Sequence, residues 1–391
     1  MRIIHVLDYF QSELGYQEAF LAKEHAKLGH KVYVVTSDRY DPFLYTGNAA
    51  KPILGERIKG SGFFTEDGIK VWRLRPLFEI PYAIWMRGVE KTIRELKPDA
   101  VIVHGIVSFA AIRIARLKKK VGNFKLIYDD HMASIVSTSK MRILYPLFKW
   151  TFSPLIQEAA DAFIAVAPAA KIFMHKKYGI PLERIVVITF GADETLFRFD
   201  ASARREIRNK LSLKENDIVF IYTGKIIPEK RLPLLVEAAA ELMKNHSSLK
   251  VLIVGNGSPS YIEKLKQDIK AKHLEDRFIW HDVVPNKELY KFYSAADVAV
   301  WPHGPSISIR EAMACSLPII INENSAVTDL VDYNNGLICQ EGSASDLARQ
   351  MGKLLPPELR REMGQRSRKF IEEKLNWRII ATQFIELIET L

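Results

Sequence analysis

Short apolar runs alternate along the chain with longer stretches in which apolar residues recur every three or four positions. The first run covers residues 2–8, Gly15 follows it, residues 16–28 have helical spacing, and residues 31–37 form the next apolar run. Short apolar runs are typical of buried strands, so this order predicts a β-loop-α-β unit. Further strands are predicted in the same half of the chain at residues 100–104, 125–128, 162–166 and 185–188.

The same alternation returns after residue 200. Alternating strands and helices predict parallel, doubly wound sheets, and therefore an α/β protein with two Rossmann-like domains. We place the first domain at residues 1–198 and the second at residues 199–376, and we expect the amphipathic residues 377–391 to form a helix that packs back on the first domain. Because such sheets bind ligands at the carboxyl ends of their strands, the expected site is a cleft between the domains. The strands predicted for the second domain are residues 218–223, 250–254, 278–280, 298–301 and 318–321.

The length and composition fit two globular domains. A chain of 391 residues with 48% hydrophobic and 26% charged residues is long enough to bury two cores. Its N-terminus lacks the apolar core of a signal peptide, and no apolar run has transmembrane length, so a cytoplasmic location is expected. The two cysteines, Cys315 and Cys339, stand in no metal-ligand pattern, so neither a disulfide framework nor a metal site is predicted.

The net charge is +10, and nearly all of the excess positive charge lies in the first half of the chain. A basic field attracts a polyanion, an anionic membrane or a phosphate-bearing substrate, and charge alone does not choose among them. Basic and aromatic residues gather in residues 73–97 and 139–156. Such segments predict peripheral binding to an anionic membrane face and a lipid-linked acceptor, while solvated helix faces with buried aromatics are an equal alternative. No nucleic-acid partner is expected.

Candidate ligand groups follow several predicted strands. Gly15, after the first strand, leaves room for a ligand beside the free amides of the next helix, although an ordinary loop explains it equally well. Gly224 follows residues 218–223, and Lys225 and Lys230 come soon after it. Two cations at the end of a strand suit a diphosphate, because they stabilise negative charge on a leaving group without a metal ion. Solvated surface lysines are the alternative.

The most informative string covers residues 298–321, VAVWPHGPSISIREAMACSLPIII. After its strand, Ser306 or Ser308 is expected to cap a helix whose first amides face a phosphate or sugar oxygen. Glu311, on the next turn, is placed to accept hydrogen bonds from the two hydroxyls of a ribose, and a role in the helix dipole is its alternative. His131 follows a strand of the first domain, where it acts as a base, orients an acceptor hydroxyl or only completes a loop.

Taken together, these strings resemble the retaining glycosyltransferases of family 4, which have the GT-B fold. The resemblance covers nearly the whole chain, and agreement of several motifs in one order is far more specific than any single motif. The matches are the Gly-His element at Gly29 and His30, the junction at residues 191–197, Gly224 and Lys225 with Lys230, residues 311–314 with Pro318, and residues 335–337.

Three positions depart from the family pattern. Lys225 replaces an arginine, Pro305 interrupts the usual Gly-Phe-Gly loop, and His303 stands eight residues before Glu311, where the family has another glutamate. In the family that glutamate contacts the transferred sugar, so the identity of the donor sugar is open. Pro305 has no backbone N–H to donate, so residues 306–308 must supply the amides that bind oxygen.

The resemblance implies a metal-independent hexosyltransferase that moves a sugar from a nucleotide diphosphate sugar to a hydroxyl acceptor, either a glycan, a lipid-linked molecule or another compound. Retention of anomeric configuration is also implied, and no cofactor is expected besides the nucleotide sugar. The implied roles are diphosphate binding for Lys225, Lys230, Gly224 and Gly15, ribose binding for Glu311, base binding near Val283, donor binding for His303, Ser306, Ile307 and Ser308, and acceptor-side catalysis for His131.

Other functions remain open on the sequence alone. A GT-B nucleotide-sugar epimerase has the same two-domain layout but acts on the donor alone. A non-catalytic nucleotide-sugar binder is suggested by His303 and Pro305 in the donor loop. A nicotinamide-dependent oxidoreductase is set aside, because no Gly-x-Gly-x-x-Gly fingerprint follows the first strand of either domain.

Overall fold

The computed structural model contains two compact units. One consists of Met1–Phe190 with Trp377–Leu391, and the other of Gly191–Asn376. The predicted boundary after residue 198 is therefore eight residues too late, because Ala192 and Phe197 are buried in the core of the second unit. The structure describes residues 1–48, 51–80, 83–130, 144–323 and 327–391.

The first unit is built on a sheet with the strand order β10-β9-β8-β7-β1-β2-β4-β3, parallel except for the antiparallel pair β3-β4. A hairpin, β5-β6, lies outside this sheet. The sequence predicted β1, β2 and β7–β10 but not β3–β6. The strands are β1 Arg2–Val6, β2 Lys31–Ser37, β3 Gly62–Glu66, β4 Ile69–Leu74, β5 Pro76–Ile80, β6 Ala83–Met86, β7 Ala100–His104, β8 Lys125–Asp130, β9 Ala162–Ala165 and β10 Ile185–Val187.

Helices connect the parallel strands of the first unit. Helix α4 shows the local signals well: the Ser108 side chain accepts a hydrogen bond from the Ala111 amide at its start, and Gly122 ends it in the left-handed conformation. The helices are α1 Gln17–Lys27, α2 Lys51–Leu54, α3 Val89–Leu96, α4 Phe109–Val121, α5 Leu144–Thr151, α6 Ser153–Ala159 and α7 Pro168–Tyr178, with short 3-10 turns at Ser12–Leu14, Pro42–Asn48 and Leu182–Arg184.

The second unit has a fully parallel sheet with the strand order β13-β12-β11-β14-β15-β16. Its strands are β11 Ile218–Thr223, β12 Leu249–Val254, β13 Phe278–His281, β14 Val298–Trp301, β15 Ile319–Asn322 and β16 Gly336–Cys339. Its helices are α8 Ala201–Lys210, α9 Leu232–Met243, α10 Pro259–Lys270, α11 Leu289–Ala295, α12 Ile307–Ala314, α13 Ala344–Lys353 and α14 Pro357–Phe370, which continues as a π-helical turn at Ile371–Leu375; 3-10 turns lie at Pro228–Lys230, Glu275–Arg277, Asn286–Glu288 and Thr328–Val331.

The last helix, α15 (Trp377–Thr390), belongs to the core of the first unit. The ring of Trp377 stacks on that of Phe20, with 5.2 Å between their centroids, and Ile380 and Phe384 are buried in the same cluster as Ile3. Since helices cover both faces of the sheet, a central strand such as β7 is buried along its whole length. No helix in the described ranges combines the length and the apolar character needed to cross a bilayer.

Candidate functional site

Two loops touch through their backbones at the carboxyl edge of the second sheet. Gly224 follows β11 and Gly255 follows β12, both with positive φ. A Cβ atom on Gly255 would lie 1.9 Å from the carbonyl oxygen of Gly224, and one on Gly257 would lie 1.8 Å from that of Ile226. Only glycine fits such contacts. The close approach fixes the turn that carries Lys225.

Two lysines follow this turn without a carboxylate partner. Lys225 is exposed and Lys230 is half-buried, and neither forms an ion pair with any described residue. The Lys230 Nζ donates a hydrogen bond to the carbonyl oxygen of Pro305 at 2.9 Å. Burial, together with the charge of Lys225, lowers the pKa of Lys230 to about 8. A cation held in this way gains stability from a bound anion.

Helix α12 begins beside Lys230 with its first amides uncapped. Ser306 occupies the N-cap position with an extended backbone, but its hydroxyl donates to the Ser308 Oγ at 3.1 Å and makes no cap bond. Ser306 is thus the N-cap residue, as predicted, but its side chain does not form the expected capping bond, and Ser308 lies inside the first turn. No side chain of the described residues accepts a hydrogen bond from the amides of Ile307 and Ser308, which leaves these amides available to an anion.

Glu311 lies on the second turn of α12 and is only 3% exposed. Its Oε1 accepts a hydrogen bond from the Asn286 Nδ2 at 2.7 Å, and its Oε2 accepts one from the Tyr293 hydroxyl at 3.4 Å. The same hydroxyl lies 2.8 Å from the Thr223 Oγ1, which ties Glu311 to the end of β11. Burial raises the pKa of Glu311 to about 7. A solvated helix-dipole role is therefore ruled out.

The sequence did not predict that Asn286 and Tyr293 belong to the site, because neither lies in a recognisable motif. Val283, predicted to lie near a nucleotide base, is 40% exposed in the loop after β13, three residues before Asn286. Its position at the same sheet edge is consistent with a base-binding loop.

His303 contacts two residues that no sequence motif revealed, and one of them also contacts Arg231. Its Nδ1 lies 3.2 Å from the Asn322 Nδ2 and 3.3 Å from the Glu341 Oε1. The Arg231 Nη1 lies 3.3 Å from the same Glu341 oxygen. We call Arg231, His303, Asn322 and Glu341 the His303 cluster. The residue that replaces the family's glutamate is thus joined to a carboxylate from a distant part of the chain.

The predicted residues of the first unit are only partly described. Gly15 is buried, follows a 3-10 turn and has a φ of 69°. Next to it, the Gln17 Nε2 donates to the Asp129 Oδ2 at 3.1 Å, which ties the start of α1 to the end of β8. The proposed contact between Gly15 and a diphosphate stays a prediction. His131 lies outside the described residues.

Asp129 also ends a buried histidine relay that the sequence did not reveal. The His104 Nδ1 lies 2.8 Å from the Asp129 Oδ2, the His5 Nδ1 lies 2.9 Å from the His104 Nε2, and the His25 Nδ1 lies 3.2 Å from the His5 Nε2. Burial lowers the pKa of His5 and takes that of His25 to about 3. Burial also opposes charge on His104, but Asp129 outweighs it and raises the pKa of His104. No group of three or more His, Cys, Asp or Glu side chains in the described ranges is placed to hold a metal ion.

Two family models match consecutive parts of the chain. The model described as Glycosyltransferase Family 4 matches residues 19–196, and the model described as Glycosyl transferases group 1 matches residues 203–370. Each match falls within one of the two predicted domains. Together they cover most of the sequence.

Curated relatives are glycosyltransferases as well. The chain is 27% identical over 298 residues to the alpha-D-kanosaminyltransferase of Streptomyces kanamyceticus, which covers 72% of this chain and 75% of the relative. It is 31% identical over 197 residues to a D-inositol 3-phosphate glycosyltransferase of Acidothermus cellulolyticus, which covers 48% of this chain and 44% of the relative.

Solved structures share the fold over the full length. Anabaena HepE, solved in complex with UDP, has a TM-score of 0.78 at 17% identity and covers 100% of both chains. Sucrose-phosphate synthase from Thermosynechococcus elongatus has a TM-score of 0.75 at 19% identity, covering 100% of this chain and 98% of the other. These neighbours confirm the predicted GT-B fold, and the two matched models confirm the resemblance. The chain belongs to glycosyltransferase family 4.

Proposed function

We propose that this family 4 glycosyltransferase moves a hexose-type sugar from a nucleotide diphosphate sugar to a hydroxyl acceptor, with retention of configuration and without a metal ion. The observation that carries the proposal is Lys230, a half-buried cation with no carboxylate partner among the described residues, held against the loop that precedes the uncapped helix α12. An unpaired, partly desolvated cation beside free amides favours a bound anion. A diphosphate fits both features.

In this proposal Lys225, Lys230 and the amides of Ile307 and Ser308 bind the diphosphate. When the bond to the sugar breaks, negative charge develops on the leaving diphosphate, and donors already aimed at it lower the barrier. Lys230 carries more charge in the complex than in the free chain, because the anion raises a pKa that burial had lowered. The leaving phosphate itself accepts the acceptor's proton, and His131 keeps the acceptor-side role that the family resemblance implies.

Glu311 binds the ribose of the donor in this proposal. Asn286 and Tyr293 hold its carboxylate from the protein side, so that the remaining lone pairs accept hydrogen bonds from two neighbouring hydroxyls. Such bonds favour the ionised form and offset the burial that raises the pKa of Glu311. Backbone near Val283 contacts the base. The UDP complex of HepE makes uridine nucleotides the first donors to test.

A lipid-linked or membrane-bound acceptor is the second part of the proposal. In α5, Trp150 is 77% exposed and Leu147 is 59% exposed, with Lys149 between them in sequence. An exposed tryptophan and leucine beside a half-buried lysine favour contact with an anionic membrane face, while Tyr145 and Phe148 of the same helix are buried, as the alternative predicts. Co-sedimentation with anionic vesicles over a salt series tests this: we expect binding that weakens as salt rises, and no binding at low salt would dismiss it.

A non-catalytic nucleotide-sugar binder is the second candidate function, because His303 replaces a glutamate of the family. Such a binder would hold the donor without ever releasing the nucleoside diphosphate, even with acceptor extracts. The measurement of released diphosphate separates the two candidates.

The donor is identified by thermal-shift screening against UDP-, GDP- and ADP-sugars. A ligand that binds only the folded chain raises the unfolding midpoint, and Lys230→Ala should abolish that shift for the sugar that binds. Lys210→Ala is the matched control. Lys210 is an exposed lysine at the end of α8, and α8 precedes the amino end of β11, whereas the proposed site lies at the carboxyl end of that strand. If no nucleotide sugar shifts the midpoint, or if Lys230→Ala leaves the shift intact, the proposed site is wrong.

A further inference from the structure

The His303 cluster lies directly beside the lysine that the proposed function assigns to the diphosphate. His303 and Pro305 belong to one short loop after β14, and the Pro305 carbonyl accepts the hydrogen bond from the Lys230 Nζ. A Cβ atom on Gly304 would lie 3.4 Å from the same Nζ. Arg231 is the next residue after Lys230. The cluster therefore borders the position where the sugar leaves the diphosphate.

Charged side chains of both signs lie in this region. Glu341 is the single carboxylate within ion-pair distance of Arg231 or His303 among the described residues. The charges of Lys225 and Glu229 act on Lys230 in opposite directions. Burial and the charges of Arg231 and Lys230 lower the pKa of His303, although Glu341 lies 3.3 Å from its ring. The neutral ring is therefore favoured at pH 7, and Arg231 is the cation of the cluster.

Arg231 has donors to spare for a ligand. One guanidinium nitrogen lies 3.3 Å from Glu341, and the described part of the chain offers the side chain no further ion pair or hydrogen bond. Its backbone has a φ of 49°, which is uncommon for a residue with a side chain. Residues kept in such conformations are found preferentially at binding sites. A guanidinium has five N–H groups in a fork that matches a carboxylate.

The side-chain amide of buried Asn322 contacts the His303 ring. Asn322 is 1% exposed, its Nδ2 lies 3.2 Å from the His303 Nδ1, and its Oδ1 has no hydrogen-bond partner among the described residues. When Nδ1 accepts from this amide N–H, the neutral ring carries its proton on Nε2, which has no described protein partner. The Nε2–H is then free to donate to a ligand.

We propose that the donor sugar carries a carboxylate, as in a nucleotide-activated uronic acid, and that Arg231 and His303 bind this carboxylate. The inference rests on the proposed function, because it needs the diphosphate to be held at Lys230. A neutral hexose leaves the remaining N–H groups of the Arg231 guanidinium without an ionic partner, whereas a uronic acid supplies a carboxylate that matches their fork. Glu341 keeps Arg231 in place and competes for it.

The test compares donors that differ only at the carboxylate. Dissociation constants are measured calorimetrically at one pH and ionic strength for UDP-glucose against UDP-glucuronic acid, and for GDP-mannose against GDP-mannuronic acid. For the base that binds, we expect the acid to bind at least about tenfold more tightly than the neutral sugar. Arg231→Gln should reduce this preference to about twofold or less, and Glu341→Gln should increase it, because it frees the guanidinium.

Arg366→Gln is the matched control. Arg366 is a partly exposed arginine of α14 paired with Glu362, so its loss removes the same charge and should leave the preference unchanged. Equal or tighter binding of the neutral sugar, or a preference that survives Arg231→Gln, overturns the inference and leaves the proposed function standing. If no nucleotide sugar binds at all, the proposed function fails as well.

Discussion

At the carboxyl edge of the second sheet, half-buried Lys230 has no carboxylate partner among the described residues, whereas at the same edge of the first sheet Asp129 is buried with His104 as its partner. In the first unit the Asp129 carboxylate is thus paired within the protein, and the contacts continue through His104 to His5 and His25. The second unit leaves a cation and helix amides for a ligand. One edge thus contributes mainly to folding stability, and the other contributes to binding at some cost in stability.

Asp129→Ala has the largest expected effect. It leaves His104 and Gln17 without their buried partner, so the free energy of unfolding should fall by about 3 kcal/mol. Urea denaturation followed by fluorescence measures the change. Asp129→Asn is the control, since its side-chain oxygen still accepts a hydrogen bond from His104 and should cost less. An alanine variant as stable as the native chain would show that the relay adds nothing to folding.

Glu311→Gln should raise the free energy of unfolding, whereas Asp129→Ala lowers it. Burial raises the pKa of Glu311 from the ordinary 4.5 to about 7, so the folded chain binds the proton more tightly than the unfolded chain. The native chain therefore loses stability as pH rises from 4.5 through 7, and the glutamine variant avoids that loss. We expect the ligand-free variant to be more stable by about 2 kcal/mol at pH 8 and by much less at pH 5.

Thermal unfolding at the two pH values, with donor affinity in parallel, checks this prediction. Glu241→Gln, at an exposed position of α9, is the control and should change neither quantity. Donor binding by Glu311→Gln should be weaker, because glutamine accepts fewer hydroxyl hydrogen bonds than a carboxylate. A gain in stability that is the same at both pH values would refute the role given to the buried charge.

The smallest expected effect is the pH dependence of donor binding. The pKa of Lys230 is lowered to about 8, so the free chain loses this cation as pH rises above that value. Affinity for the diphosphate should then fall by up to about tenfold per pH unit. Calorimetry at pH 7, 8 and 9 measures the slope. The Lys230→Arg variant keeps its charge throughout this range, so its affinity should depend less on pH. Equal slopes for the native chain and the variant would show that Lys230 does not bind the diphosphate.

The same comparison explains what the sequence could predict of the site. Lys225, Lys230 and Glu311 lie in short strings that follow strands, so their position at a sheet edge follows from the order of elements. Asn286, Tyr293 and Glu341 come from other elements, and only tertiary packing brings them to Glu311 and His303. The histidine relay is the extreme case, since its members come from different strands and helices and carry no local signal.

The fold was predictable where the chain is buried on both faces. Central parallel strands such as β7 and β11 read as continuous apolar runs, which a sequence pattern reveals. Strands β3, β5 and β16 were missed because their residues are partly exposed, with Phe63 and Phe78 facing solvent. The capping bond of Ser306 was mispredicted for a different reason. The Ser306 hydroxyl can bond either to a helix amide or to the Ser308 hydroxyl, and the sequence does not show that it bonds to Ser308.

A crystal structure of the chain with the nucleotide sugar selected by screening tests the central claim most directly. We expect phosphate oxygens within hydrogen-bond distance of the Lys230 Nζ and of the Ile307 and Ser308 amides, with ribose hydroxyls on Glu311. A nucleotide bound elsewhere, with Lys230 still on the Pro305 carbonyl and Glu311 contacting only Asn286 and Tyr293, would contradict it.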